Sequence, residues 1–360
     1  MIQKLKLPQG MDYVKLPSAM KRGPEDYVAR SLAIPFHDLL RIRTHLIRTV
    51  AEEFQPDLFL VDHAPIGMSG EITPTLRFLG AVGTKLVLGL RDVLDDPANV
   101  FPVWKKQRVV EAMREFYDLI LVYGMAEFYD PISEYKIPAD VGMKALFTGY
   151  VHRARDVQSV EDVRRRHQLP AGPFILVTVG SGEDAAPVLR LVAAALRLRP
   201  LEGFSAFIST GPMCPDDVRE TLMRNDNERV LVTEFVEDLP SVIASSDLVV
   251  SMGGYNSLCE LLAYGRRGIV IPRTKPRREQ LIRASFLAEH GFITFMNPRE
   301  CTPAMLRNAI EASLADKSEP LRERRRIVKL DGAQRAAAHI LNFIQEKRAA
   351  EHILNLIQEG

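Results

Sequence analysis

Short apolar runs alternate with longer amphipathic stretches along most of the chain, and this alternation limits the possible folds more than any other feature. Brief apolar runs typical of buried strands occupy residues 57–63, 84–92 and 118–124 of the first half. The second half repeats the pattern at residues 174–180, 204–210, 229–235, 247–253, 267–273 and 292–298. Helical periodicity separates the runs, as over residues 37–54 and 103–116. This order predicts parallel α/β sheets covered by helices on both faces.

The length of the chain favours two doubly wound, Rossmann-like domains that face each other across a cleft, with ligands at the carboxyl ends of the strands. Its 360 residues, of which 46% are hydrophobic, can supply a core to each domain. A linker near residue 155 predicts an N-terminal domain over 1–154 and a C-terminal domain over 155–338. A helical tail follows over 339–360, where HILNFIQE is repeated as HILNLIQE.

The composition excludes several classes of protein. The formal net charge of +1 gives no general attraction to nucleic acid. We find no run near the roughly 18 apolar residues that a membrane-spanning helix needs, and no secretory signal. The three cysteines are far apart and lack the spacing of a zinc site or of a disulfide framework. We therefore expect a cytoplasmic protein.

Two glycine-rich turns follow strands of the second half and precede helical patterns. The first contains Gly180, Ser181 and Gly182. The second contains Gly253 and Gly254, with the polar residues Asn256 and Ser257 just behind them. Free N–H groups at a helix N-terminus attract phosphate, and glycine lets a ligand approach the backbone closely. The two turns therefore predict a phosphate-bearing ligand.

Glu260 lies one helical turn after Ser257, on the same face of the predicted helix. A carboxylate there can accept hydrogen bonds from the two hydroxyls of a ribose, which predicts a nucleotide diphosphate. The other interpretation is that Glu260 completes a capping box with Ser257.

A dinucleotide-dependent oxidoreductase is a competing interpretation, because Gly180, Gly182 and Ala185 have the spacing G-x-G-x-x-A. That class expects an acidic residue at the end of the next strand. The next run ends instead in Ser209 and Thr210, which disfavours it.

The stretch DLVVSMGGYNSLCELLAYGRRGIVIPRTKPRREQLIRASFLAEHG, residues 247–291, resembles the C-terminal domain of MurG-like glycosyltransferases of the GT-B architecture. It is similar in particular to a bacterial branch of predicted glycosyltransferases, and the resemblance extends over most of the chain. It implies transfer of a sugar from a nucleotide sugar, which we expect to be linked to UDP, to an acceptor of unknown identity. The resemblance also implies donor-binding roles for Arg153, Gly180, Ser181, Gly182, Phe235, Val236, Gly253, Gly254, Ser257, Glu260, Glu279 and Gln280.

GT-B enzymes stabilise the departing diphosphate with helix dipoles, where other glycosyltransferases use a metal bound to a DxD motif. No DxD follows a strand here, so we expect no metal and no cofactor apart from the nucleotide sugar as co-substrate. Two alternatives stay open: a non-hydrolysing nucleotide-sugar epimerase on the same fold, and a catalytically inactive relative that binds nucleotide sugar.

The resemblance is incomplete in the first domain. Family members begin with a strand, a glycine-rich loop and a helix before the segment that opens this chain, so we expect an incomplete first domain. His63 and Asp92, each at the end of a predicted strand, are the candidates for the general base.

Basic stretches at residues 273–283 and 321–330 have two interpretations. They predict either solvated helix faces or peripheral contact with anionic lipid at the inner face of the membrane. The lipid-linked acceptors of related enzymes motivate the second interpretation.

Overall fold

The computed structural model of the protein describes residues 9–21, 27–152, 156–224, 227–316 and 325–359. Its strands are β1 (Ala19–Lys21), β2 (Tyr27–Ala29), β3 (Leu58–Asp62), β4 (Lys85–Arg91), β5 (Leu119–Tyr123), β6 (Ala145–Phe147), β7 (Phe174–Thr178), β8 (Ser205–Ser209), β9 (Val230–Thr233), β10 (Leu248–Ser251), β11 (Arg267–Val270) and β12 (Thr294–Phe295). Its helices are α1 (Phe36–Phe54), α2 (Thr73–Ala81), α3 (Pro97–Gln107), α4 (Val109–Phe116), α5 (Pro131–Glu134), α6 (Ala139–Gly142), α7 (Val160–His167), α8 (Ala186–Arg197), α9 (Asp216–Met223), α10 (Leu239–Ser245), α11 (Tyr255–Tyr264), α12 (Glu279–Glu289), α13 (Pro303–Ala315) and α14 (Gly332–Glu359).

The larger sheet is parallel and has the strand order β12-β11-β10-β7-β8-β9. Successive residues of a strand point to opposite faces, so Ile175 and Val177 join one buried cluster while Phe174 and Leu176 join another. The first cluster includes residues of α8 and α13, and the second includes residues of α10, α11 and α12. Burial on both faces explains why these strands are continuous apolar runs.

The smaller sheet has the order β3-β4-β5-β6, and β5 pairs with β6 in parallel. A separate antiparallel pair joins β1 to β2. All nine predicted strands are present, which confirms the parallel α/β fold class. The short strands β1, β2 and β6 were not predicted, because three residues carry too little pattern.

The chain divides into two compact units. One comprises Met1–Leu88 and Lys105–Leu119, and the other comprises Gly89–Trp104 and Ile120–Gly360. In the first unit α1 packs on α2, and the Arg43 guanidinium donates to both carboxylate oxygens of the buried Glu71, at 2.6 and 2.8 Å. The second unit contains the larger sheet. The domain boundary expected near residue 155 stays a prediction.

Two helical predictions differ from the structure in detail. The helix predicted over 103–116 is two helices, because Arg108 has a φ of 54° and separates α3 from α4. The helical tail predicted over 339–360 is part of the longer helix α14, which begins at Gly332 and contains both copies of the duplicated sequence.

Candidate functional site

The pocket of interest lies where three neighbouring strands of the larger sheet end. Because β11, β10 and β7 are adjacent and parallel, the turns at their carboxyl ends meet at one edge. The pocket there is lined by Thr178, Val179, Gly180, Ser181, Asp184, Met252, Gly254, Ser257, Arg273 and Gln280. The fold thus brings together five of the predicted donor-binding residues: Gly180, Ser181, Gly254, Ser257 and Gln280.

The glycines of the first turn have different roles. Gly180 has a φ of 69°, and a Cβ added there would meet no atom within 4 Å, so this glycine leaves open space at the pocket. Gly182 has a φ of 88°, and a Cβ there would lie 2.4 Å from the Thr210 carbonyl oxygen. Gly182 is therefore required for loop packing, and its role in donor binding stays a prediction.

The second turn leads directly into α11. Gly253 has a φ of 75°, and Gly254 is the N-cap of the helix and receives no side-chain capping bond. The N-terminal N–H groups of α11 therefore lack a side-chain cap beside the pocket. Because the helix begins at Tyr255, Ser257 is its third residue and cannot be the N-cap of a capping box with Glu260, so that interpretation is wrong.

A network of charged side chains borders this pocket. The Arg273 guanidinium donates from Nη1 to Asp184 and from Nη2 to Glu279 Oε1, the latter at 2.7 Å. The backbone N–H of Arg273 donates to Gln280 Oε1 at 3.1 Å. Burial disfavours the charged guanidinium, but the carboxylates of Glu279 and Asp184 outweigh this effect and raise the pKa of Arg273 above its usual value. Neither Arg273 nor Asp184 was predicted, because only the strand order brings them together.

The other predicted donor residues are not among those that line the pocket. Phe235 is 52% exposed in the turn after β9, whereas Val236 is buried in the core. Asn256 is exposed on α11, and Glu260 is partly exposed one turn further along. Glu279 is engaged with Arg273 rather than with the pocket surface. Arg153 lies outside the described residues. The donor roles of all these residues stay predictions.

Asp92 lies in a fully buried ion pair within the second unit. It is 0% exposed, and Arg283 of α12 is 2% exposed and donates to Asp92 Oδ1 at 2.8 Å from Nη2. The Arg283 guanidinium also lies 5.3 Å from the ring centroid of Tyr255, the first residue of α11. A general base must reach the hydroxyl that it deprotonates. We therefore replace the predicted role of Asp92 as a base with a role in holding residues 89–96 against α12.

Tyr255 joins the same buried cluster to two further segments. Its hydroxyl donates to the Tyr123 carbonyl oxygen at 3.1 Å and accepts from the Val151 N–H at 3.0 Å. Burial raises the pKa of this hydroxyl, and burial followed by the Asp92 carboxylate raises that of the neighbouring Cys259 thiol. Both groups are therefore neutral at physiological pH.

His63 follows β3 in the first unit. It is partly buried and has a φ of 69°, a left-handed conformation that is uncommon outside glycine. Such conformations cluster at functional sites, and the role of His63 as the general base stays a prediction.

The basic stretch 273–283 is only partly exposed to solvent, and only its residues 279–283 belong to a helix. Arg273 and Arg283 are paired as described, and Arg278 pairs with Asp96. In the other basic stretch, residues 321–324 lie outside the described part.

The described part of the chain has neither a cluster of metal ligands nor a helix that could span a membrane. Among the described residues no three or more His, Cys, Asp or Glu side chains are grouped so that they could hold a metal ion. No helix in the described part of the chain has the length and apolar character needed to cross a membrane.

Comparison with known proteins identifies the class to which this architecture belongs. Residues 174–340 match the glycosyltransferase family 28 C-terminal domain. The second unit thus carries a domain of that family. The chain as a whole is similar to MurG-like transferases and has the fold of a solved MurG, in line with the sequence resemblance.

Individual relatives support this assignment. The chain is 32% identical over 166 residues to a UDP-N-acetylglucosamine–N-acetylmuramyl-(pentapeptide) pyrophosphoryl-undecaprenol N-acetylglucosamine transferase from Rubrobacter xylanophilus, a match covering 46% of each protein. The corresponding transferase from Actinobacillus pleuropneumoniae serotype 5b is 28% identical over 75% of this chain and 67% of its own. The chain thus spans about half the length of the first relative and about two thirds of the second.

The solved structure of MurG from Acinetobacter baumannii has the same fold. It superposes with a TM-score of 0.56 at 15% identity over 94% of this chain and 86% of its own. Because the matched family and both relatives are transferases, the epimerase and the inactive binding protein are not favoured.

Proposed function

We propose that this protein transfers a sugar from a UDP-sugar to a hydroxyl of an acceptor. The observation that carries the proposal is the pocket between the two glycine turns, at the N-termini of α8 and α11. Neither helix has a side-chain N-cap bond, so N–H groups and the positive ends of two helix dipoles are available to a diphosphate. The choice of UDP follows the printed names of the transferase relatives.

The reaction has one bond-forming and one bond-breaking step at the anomeric carbon. The acceptor oxygen bonds to that carbon, the bond to the β-phosphate oxygen breaks, and UDP leaves with the bonding electron pair. The two helix N-termini stabilise the negative charge that develops on the diphosphate, so no metal ion is required in the proposal. His63 takes the proton of the acceptor hydroxyl, and Glu260 accepts hydrogen bonds from the ribose hydroxyls.

We further propose a lipid-linked acceptor, because the names of the relatives include pyrophosphoryl-undecaprenol. Such an acceptor would bring a cytoplasmic enzyme to the inner face of the membrane as a peripheral protein. Pelleting with anionic vesicles at low salt tests this part, and failure to pellet contradicts it.

Calorimetric titration tests the donor site. The chain is titrated with UDP, UDP-N-acetylglucosamine and UDP-glucose without divalent metal, beside Glu260→Ala and the control Glu220→Ala, which only breaks an exposed pair with Arg224. We expect binding by the wild type and the control, and a loss of about tenfold or more in Glu260→Ala. Absence of binding by a folded wild-type chain contradicts the proposed function.

A further inference from the structure

The proposed donor pocket is lined by a positively charged side chain, Arg273, that was not predicted from the sequence. Arg273 follows β11 and lines the pocket together with Gly180 and Gly254. Its side chain is 25% exposed, so Arg273 is neither fully solvated nor fully buried.

One side of this guanidinium is anchored. Nη2 donates to Glu279 Oε1 at 2.7 Å, and the Glu279 side chain is only 16% exposed. Glu279 does not line the pocket, so its ion pair anchors Arg273 on the side away from the pocket. The Nε of Arg273 is buried and has no hydrogen-bond partner among the described residues.

The other side of the guanidinium faces Asp184, which also lines the pocket and is 38% exposed. Asp184 directly precedes Ala185, the N-cap of α8. A negative charge is favoured at the N-terminus of a helix. The Asp184 carboxylate therefore occupies a position beside the N–H groups of α8 that would bind a phosphate. Arg273 and Asp184 belong to turns after β11 and β7, on either side of the turn after β10.

The local charge makes this arrangement informative. Asp184 and Glu279 together carry two negative charges against the single positive charge of Arg273. If Arg273 stayed paired with both carboxylates, these three side chains would have a net negative charge, which disfavours binding of a diphosphate. A guanidinium that exchanges Asp184 for phosphate oxygens would give charge-assisted hydrogen bonds in a geometry that guanidinium and phosphate share.

We propose that Arg273 binds the diphosphate of the nucleotide sugar, with Glu279 as the residue that positions it and Asp184 as the counter-ion that the diphosphate displaces. This inference rests on the proposed function and adds to it a ligand for the leaving group. Gln280 stays oriented by the backbone of Arg273: a backbone N–H can only donate, so the amide oxygen of Gln280 faces it and the amide NH2 remains for the ligand.

Binding constants for UDP and for uridine, which lacks the diphosphate, test the proposal. In Arg273→Gln we expect UDP affinity to fall about tenfold or more and uridine affinity to stay unchanged. In Arg273→Lys we expect an intermediate loss, because the charge remains but the planar fork does not. In Asp184→Asn we expect tighter UDP binding, because the competing carboxylate charge is removed.

The control is Arg267→Gln. Arg267 begins β11 at the opposite edge of the sheet, and its ion pair with Asp316 has comparable exposure, 23% for the arginine. UDP affinity should not change in this variant. Thermal melting of each variant verifies that it is folded.

Three results overturn the role of Arg273. The first is UDP binding to folded Arg273→Gln as tight as to the wild type. The second is an equal loss of UDP and uridine affinity in that variant. The third is weaker UDP binding in Asp184→Asn, which would mean that the pair only fastens the two turns. If instead the wild type binds no UDP, the proposed function itself fails.

Discussion

Asp92→Asn is expected to destabilise the second unit severely, because it leaves the buried Arg283 without its counter-ion. The wild-type carboxylate is 0% exposed and accepts from Arg283 at 2.8 and 3.2 Å, through Nη2 and Nε. The guanidinium also donates to the Val93 carbonyl oxygen at 3.2 Å. An uncharged amide preserves the shape of the side chain and removes its charge.

The size of the effect follows from the charge separation. Two unit charges about 4 Å apart attract by about 4 kcal/mol at an effective dielectric constant of about 20, and removal of one partner from a buried pair typically costs about 3–5 kcal/mol. We expect a loss of about 3 kcal/mol or more in the free energy of unfolding. For a unit of this size that corresponds to a fall in Tm of about 6–12 °C.

Fluorescence of the single tryptophan during urea unfolding measures this loss. Trp104 ends the segment 89–104, which begins with the residues 89–96 that Asp92 holds against α12, and its ring centroid is 5.6 Å from that of Tyr135 in the same unit. Asp217→Asn is the control, because the Arg190–Asp217 pair is 61% and 65% exposed and should contribute less than about 1 kcal/mol. The double variant Asp92→Leu with Arg283→Met should be more stable than Asp92→Asn, because no buried charge remains. A loss below about 1 kcal/mol in Asp92→Asn, or a double variant less stable than the single one, would refute the reasoning.

Three further outcomes are expected. Gly182→Ala should destabilise the protein by more than about 2 kcal/mol in urea unfolding, because the added Cβ would clash with the Thr210 carbonyl oxygen. Gly180→Ala should cost only about 1 kcal/mol, because a Cβ there meets no atom. Equal losses in the two variants would contradict this expectation. If His63 is the base, His63→Asn should lower turnover about 100-fold or more with little change in donor affinity, and unchanged turnover removes it from consideration. Tyr255→Phe should lower the free energy of unfolding by about 1 kcal/mol, since the partly buried N–H of Val151 loses its acceptor; an unchanged Tm would show that the bond contributes nothing.

Much of the fold could be predicted from the sequence because its signals are local. A continuous apolar run such as 174–180 specifies a strand buried on both faces, and β7 lies within it. The glycine turn after it could also be predicted, since Gly180 has the positive φ that favours glycine. The break at Arg108 could not, because neither glycine nor proline marks it.

The candidate site was only partly predictable. Gly180 and Gly254 follow predicted strands, and Ser257 lies in the first turn of a predicted helix. Since the carboxyl ends of parallel strands lie at one edge of the sheet, predicting the strands also predicts that these three residues lie at that edge. The role of Gly182 in packing could not be foreseen, because its neighbour Thr210 follows a different strand.

The sequence by itself determined the parallel α/β architecture and the two turns suited to phosphate. Only the tertiary structure decided that Asp92 pairs with Arg283, 191 residues away, and that Arg273 pairs with Asp184, 89 residues away. The physical reason is that periodicity records which face of an element is buried, whereas strand order decides which charges become neighbours. A buried charge must find a partner, and that partner is chosen by the neighbouring elements of the fold rather than by nearby sequence.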